Sequence, residues 1–175
     1  MEAKLMNWKT ERLEIRAFAD EDMDALCRIL TNETIGETYL LPDFKNTSEV
    51  YALAKRLQIL SLTEGRYVAG IYFQGNLIGM LNETDIRGEN IEIGYALHPN
   101  YHNQGFATEM LKALITYLFE KNFSAVWAGA FEENLASLRV MEKAGMKKTS
   151  SKASIEYRGK THRCVYYCIK KEMKI

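Results

Sequence analysis

Two rhythms of hydrophobic and polar positions run along the chain, and together they mark its elements. Residues 12–18 (RLEIRAF) alternate with the two-residue period of a strand. Asp20, Glu21 and Asp22 then place acids at a helix start, and Met23, Leu26, Cys27 and Leu30 form the apolar stripe of that helix. Residues 31–47 read as a loop, unusually apolar and aromatic, with Gly36, Tyr39, Leu40, Leu41, Pro42 and Phe44. Such a loop either folds onto the core or lines a pocket. A second helix is expected from Ser48, striped by Val50, Leu53, Ala54, Leu57 and Leu60 and ended by Gly65. Residues 66–74 and 77–82 read as strands joined by Gly75-Asn76 in a tight hairpin, and residues 87–90 are a turn signal leading into a third strand. The expectation for these three strands is an antiparallel meander.

Residues 91–121 organise the rest. The strand at residues 91–97 stops before Pro99, which cannot donate to a ladder, and a short turn at residues 102–107 (HNQGFA) follows. Ala107, Met110, Leu111, Leu114, Ile115 and Leu118 then recur at helical spacing. Asn122 suits a left-handed cap, and residues 124–131 (SAVWAGAF) form a nearly all-apolar strand of the kind expected in a sheet covered on both faces. Strand, helix and strand make a βαβ crossover, so the two strands should run parallel. A short helix at residues 134–144, capped by Gly145, and a basic hairpin at residues 148–171 turning at Arg158-Gly159-Lys160 complete the chain. The fold class is therefore α/β (α+β), with a mixed, mostly antiparallel central sheet flanked by helices.

Bulk properties narrow the functional classes. The 175 residues suit a single domain, 1–175, and 47% hydrophobic with 26% charged residues is an ordinary globular composition. Lys plus Arg equals Asp plus Glu at 23 each, so no whole-molecule surface for nucleic acid is expected. No apolar run has the length of a membrane span and no signal core opens the chain, which points to a cytoplasmic protein. Cys27, Cys164 and Cys168 lack metal spacing, so neither a disulfide framework nor a metal site is expected.

A strand that feeds a small-residue turn into a helix N-terminus is a ready phosphate site, because the first N–H groups of the helix lack intrahelical acceptors. Tyr101-His102-Asn103-Gln104-Gly105-Phe106-Ala107-Thr108-Glu109 resembles the acetyl-CoA signature of GNAT-type N-acetyltransferases, Arg/Gln-x-x-Gly-x-Gly/Ala. The runs GFATE and EIGYALHPNY are most similar to the branch that acetylates N-terminal amines of ribosomal proteins, the Rim type. Residues 134–146 (NLASLRVMEKAGM) resemble the Asn-x-x-Ser-x-x-Val/Leu-x-x-Lys-x-Gly-Phe element of that branch. The resemblance runs from about Trp8 to Lys171 and implies the GNAT-like fold, acetyl-CoA as co-substrate, a primary-amine acceptor and a homodimer, for which the exposed edge of the final hairpin offers a pairing surface.

It also implies roles. Backbone N–H groups of Gln104, Gly105, Ala107 and Thr108 would hold the pyrophosphate, with His102, Asn103 and Phe106 completing the cofactor turn, and the backbone of Ala96 and Leu97 would serve the pantetheine arm and the thioester oxygen. His102 stands where the family often has Arg or Gln, and Asn103 where glycine is common; Asn tolerates left-handed dihedrals. The family's acid is often a tyrosine, but that position is Met141 here, which leaves Ser137 as proton donor and Asn134 to order the cofactor arm or a water. Glu92 is the candidate base, beside the small residues Gly94 and Ala96; a surface glutamate paired with a cation, or a water relay, are the competing readings. Tyr39 and Glu92 would face the acceptor. The acceptor itself is the N-terminal amine of a ribosomal or other protein, or a small amine such as a polyamine or aminoglycoside. An acetyl-CoA-binding sensor without turnover is the reading from another class.

Overall fold

Leu13 and Ile15 turn inward while Glu14 and Arg16 stay half-buried, and this alternation seats strand β2 (Leu13–Arg16) between β1 (Asn7–Lys9) and β3 (Val68–Phe73). The computed structural model describes residues 5–172; the two ends of the expected 1–175 domain, residues 1–4 and 173–175, lie outside that range. The remaining elements in chain order are α1 (Met23–Leu30), α2 (Glu33–Thr38), α3 (Thr47–Ser61), β4 (Asn76–Arg87), β5 (Asn90–Leu97), α4 (Phe106–Glu120), β6 (Ala125–Phe131), α5 (Leu135–Lys143), β7 (Lys147–Tyr157) and β8 (Lys160–Lys170). The strands form one eight-stranded sheet in the order β1-β2-β3-β4-β5-β6-β8-β7. The pairs β1–β2, β2–β3, β3–β4, β6–β8 and β7–β8 are antiparallel, and β5 pairs with β6 in parallel, the step expected of the crossover.

The described residues fall into two compact units, one running through Asn82 and resuming over Tyr95–Phe106, the other taking Glu83–Gly94 and everything from Ala107 onward. In the first, α1 and α3 bury Met23, Leu26, Ile29, Leu30, Val50 and Ala54 against Val68 and Met80, with Phe18 and Ile35 in the same cluster. Burying each large side chain of this kind contributes about 1.5–3 kcal/mol. Among these apolar groups sits Asp22, whose Oδ2 accepts from Tyr72 Oη at 2.6 Å, from the Ala19 N–H at 2.8 Å and from Arg16 Nη1 at 3.3 Å. The guanidinium of Arg16 also lies 3.6 Å from the centroid of the Tyr72 ring. Burial first, then the Asp22 hydrogen bond, pushes the Tyr72 phenol well above its ordinary range.

Three expectations are corrected here. Residues 31–47 are not all loop: Asn32 Oδ1 accepts from the Ile35 N–H and caps helix α2, with Ile35 and Gly36 buried. Helix α3 starts one residue before Ser48, capped by Asn46, and stops at Ser61 rather than at Gly65. There the Leu62 N–H closes on carbonyls of the last turn, and Gly65 falls in the loop beyond. The β3–β4 hairpin turns at Gln74-Gly75 and not at Gly75-Asn76; both turn residues have positive φ, 49° and 79°, as a primed turn requires, and Asn76 already pairs with Phe73.

In the second unit α4 buries Met110, Leu111, Leu114, Ile115 and Leu118, and α5 packs on β6 and β7. Asn122 takes the left-handed conformation after α4, with φ 70°. Strand β6 departs from the expected two-sided burial. Val126, Ala128 and Ala130 are buried, but Trp127 is half-buried and Gly129 exposed. Tyr166, registered opposite Gly129, lays its ring over that glycine, where a Cβ would meet ring carbons at 2.8 and 3.0 Å.

Candidate active site

The turn between β5 and α4 is built by local hydrogen bonds and two left-handed residues. His98 caps a single 3₁₀ turn at Pro99–Tyr101, its Nδ1 accepting from the Asn100 N–H. Asn103 (φ 58°) and Gly105 (φ 80°) then reverse the chain into α4. The left-handed Asn103 answers the expectation for this position, since a short polar side chain accepts that conformation where most do not. His102 does not reach outward for an anion. Its Nε2 donates to the Leu97 carbonyl at 2.8 Å and so ties the turn to the end of β5.

Arg12, which the sequence pattern did not single out, lies against this turn. Its Nη1 donates to the Gln104 carbonyl at 2.9 Å, and its guanidinium carbon stands 4.3 Å from the centroid of the Phe106 ring. A Cβ on Gly105 would meet Arg12 Nη2 at 3.3 Å. Phe106 is buried and packs at 4.7 Å from Phe73, so the first helical residue is anchored in the core of the first unit. A glycine without a Cβ, a helix N-terminus and a guanidinium side by side suit a phosphate-bearing ligand. Gln104, Gly105, Ala107 and Thr108 are the expected backbone donors; Gln104 Nε2 is engaged with the Asn100 carbonyl at 3.0 Å.

On the strand before the turn, Ala96 and Leu97 are buried, and Gly79 of β4 lies so close that a Cβ there would meet the Ala96 carbonyl at 2.3 Å. The His98 N–H donates to the Ile78 carbonyl at 2.7 Å. The parallel ladder between β5 and β6 registers Asn90 with Ala125, Ile91 with Val126 and Glu92 with Trp127, although β6 continues to Phe131.

In the second unit Asn134 caps α5, its Oδ1 accepting from the Ser137 N–H at 3.2 Å while its own N–H donates to the Phe131 carbonyl at 2.9 Å. The Ser137 backbone thus serves the cap, and the residue is half-buried. Met141 is 1% exposed, a core residue of α5. Glu92 is half-buried, and its charge acts on Cys164 and Tyr166 of β8. Burial first, with Glu92 and Cys164 adding, pushes the Tyr166 phenol up to about 12, and burial raises the Cys164 thiol too. Tyr39 is half-buried against the core of the first unit, and its hydroxyl donates to Asn82 Oδ1. Among the described residues no group of three or more His, Cys, Asp or Glu is placed to hold a metal ion, and no helix is long and apolar enough to cross a membrane.

A mixed sheet with one parallel step, and a turn at that step shaped for a phosphate-bearing ligand, define the acyltransferase class that the motifs suggested. Residues 12–147 match the acetyltransferase (GNAT) domain, and the chain belongs to that family. An uncharacterized N-acetyltransferase, p20 of Bacillus licheniformis, is 30% identical over 145 residues, 79% of this chain and 81% of the relative. The crystal structure of a GNAT-family acetyltransferase from Bacillus anthracis superposes with a TM-score of 0.81 at 26% identity, covering 94% of this chain and 98% of the other. RimL, a ribosomal L7/L12 alpha-N-protein acetyltransferase solved in complex with coenzyme A, also gives 0.81, at 18% identity over 92% of this chain and 95% of its own. The protein is thus an N-acetyltransferase of GNAT type with the mixed α/β fold of that family.

Proposed function

We propose that the enzyme moves the acetyl group of acetyl-CoA to a primary amine, and that this amine is the N-terminus of a ribosomal or other protein. The observation that carries the donor is the turn at residues 102–108: Asn103 and Gly105 left-handed, α4 opening at Phe106, and the Arg12 guanidinium on the Gln104 carbonyl. Its backbone donors and Arg12 would hold the pyrophosphate, with the Ala96 and Leu97 backbone along the acyl-bearing arm. Residues of the second unit supply proton handling. Ser137 gives its hydroxyl proton to the departing thiolate, Asn134 holds the start of α5, and Glu92 draws the ammonium. Tyr39 contributes to the acceptor side.

The acceptor class rests on the likeness of residues 101–109 and 134–146 to the Rim-type elements and on the RimL neighbour. The proposal keeps the chain as one acetyltransferase domain, working in the cytoplasm without a metal. The test is thiol release from acetyl-CoA against Ser- and Ala-initiated ribosomal peptides, spermidine and aminoglycosides. Release confined to the peptides is the expected result. Release confined to spermidine or an aminoglycoside would move the acceptor to small amines. Acetyl-CoA binding with silence across the panel would overturn catalysis in favour of a sensor.

A further inference from the structure

The turn between β6 and α5 carries a pair of side chains that the roles above do not use. Glu133 precedes the cap residue Asn134, and its Oε1 accepts from His162 Nδ1 at 2.6 Å. The imidazole is stacked on the Phe131 ring at 4.2 Å and 13°, with Tyr157 inclined at 6.2 Å on the opposite strand of the hairpin. Next to it the Glu132 N–H donates to the Arg163 carbonyl at 2.8 Å, so the start of β8 lies alongside the turn that positions Asn134 and Ser137. The His162 side chain keeps 11% of its surface open.

This geometry sets the chemistry of the ring. With Nδ1–H given to a carboxylate, the proton of the neutral imidazole is fixed on Nδ1, and Nε2 carries the basic lone pair. The stacked Phe131 fixes the plane of the ring. Glu133, for its part, is held below the usual carboxylate range, first by the His162 hydrogen bond.

We propose that His162, oriented by Glu133, is the base that takes a proton from the acceptor ammonium. The inference rests on the acetyl-transfer reading above. His162 Nε2 receives one ammonium proton, directly or through one water, and the freed nitrogen lone pair forms the N–C bond. As the C–S bond breaks, Ser137 gives its hydroxyl proton to sulfur and regains one from the acylated nitrogen through water. His162 returns its proton to solvent, which balances the conversion of ammonium and thioester to amide, thiol and one proton. His162 is then a catalytic residue and Glu133 a positioning residue. Of the charged and titratable groups here, Glu133 from the turn bonds the ring, Tyr157 on β7 lies against it, and Lys160 on β8 acts on the Glu133 carboxylate.

Two measurements on the full chain test this. In the first, kcat/KM against pH is compared for wild type, His162→Ala, His162→Gln and Glu133→Gln, using the best acceptor of the amine panel. The base should contribute about 100-fold, within the usual range for proton transfer by a positioned side chain. His162→Ala should lose that much at neutral pH and recover as pH rises toward the acceptor's own pKa, when the amine deprotonates unaided; added imidazole should restore part of the rate. Glu133→Gln should lose about tenfold, and acetyl-CoA affinity by calorimetry should be unchanged throughout. An active wild type with a His162→Ala variant of unaltered rate and pH profile would overturn the base while leaving acetyl transfer standing. The second measurement needs no turnover: the ¹⁵N spectrum of the imidazoles should show the His162 proton on Nδ1. A proton on Nε2 would overturn the proposal even where no amine is acetylated.

Discussion

At the scale of single residues, Gly105 and Arg12 form one device. Gly105→Ala places a Cβ 3.3 Å from Arg12 Nη2 on a backbone with φ 80°, so it is expected to lower stability by about 1–2 kcal/mol and to weaken acetyl-CoA binding in calorimetry. Arg12→Ala should raise the KM for acetyl-CoA about tenfold with little change in kcat, the sign of a contact made equally in ground and transition states. Arg12 was invisible in the sequence because 92 positions separate it from its partner Gln104, and a lone arginine at a strand start carries no local signal. Asn103, by contrast, was legible, since its left-handed conformation follows from its chemistry and its place before a helix. At α5 the cap and the chemistry can be separated. Asn134→Ala should lower stability by about 1 kcal/mol through loss of the cap, seen as a fall in Tm, whereas Ser137→Ala leaves the capping N–H in place and should lower kcat with no such fall.

At the scale of elements, what the pattern showed and what it hid have physical causes. Helices α1, α3 and α4 carry apolar stripes and were readable, although the ends of α3 fell elsewhere than the pattern put them. Helix α2 has six residues, two of them threonine and one glycine, and its one signal was Asn32 at the cap. In β6 an unbroken apolar run concealed that Gly129 is exposed and Trp127 only half-buried, because side chains on an open sheet face need not be polar when an aromatic from the next strand covers them. The Asp22 cluster was also hidden, since Arg16 and Tyr72 belong to separate strands. It has a measurable consequence. The Tyr72 phenol is raised by burial and by its bond to Asp22, so the stability it carries is present below the ordinary tyrosine value near 10 and is lost as pH rises through the folded value. Tyrosinate absorbance during an alkaline titration should therefore show Tyr72, and Tyr39 whose phenol is also raised by desolvation, ionising only as the chain unfolds. Ionisation of all ten tyrosines ahead of unfolding would contradict the cluster.

At the scale of the whole molecule, the outer strand of the sheet is β7, with Lys147, Lys148 and Lys152 along it and a register shift between Lys148 and Lys152. Both features guard an edge against strand addition. A homodimer paired along this edge should change its sedimentation coefficient when Lys147 and Lys148 are replaced by glutamate; an unchanged coefficient places any dimer contact elsewhere. The family and the class of reaction were legible from two short motifs, because a phosphate-holding turn needs particular small residues at fixed spacing. The acceptor was not, because its recognition depends on side chains brought together from distant strands and loops. The most direct test of the central claim is mass spectrometry of a Ser-initiated ribosomal peptide incubated with the enzyme and acetyl-CoA. Acetylated peptide and free CoA should appear one for one, with the acetyl group on the N-terminal nitrogen and no product when that nitrogen is blocked. Acetyl-CoA left intact beside this peptide and every other amine offered would contradict the account.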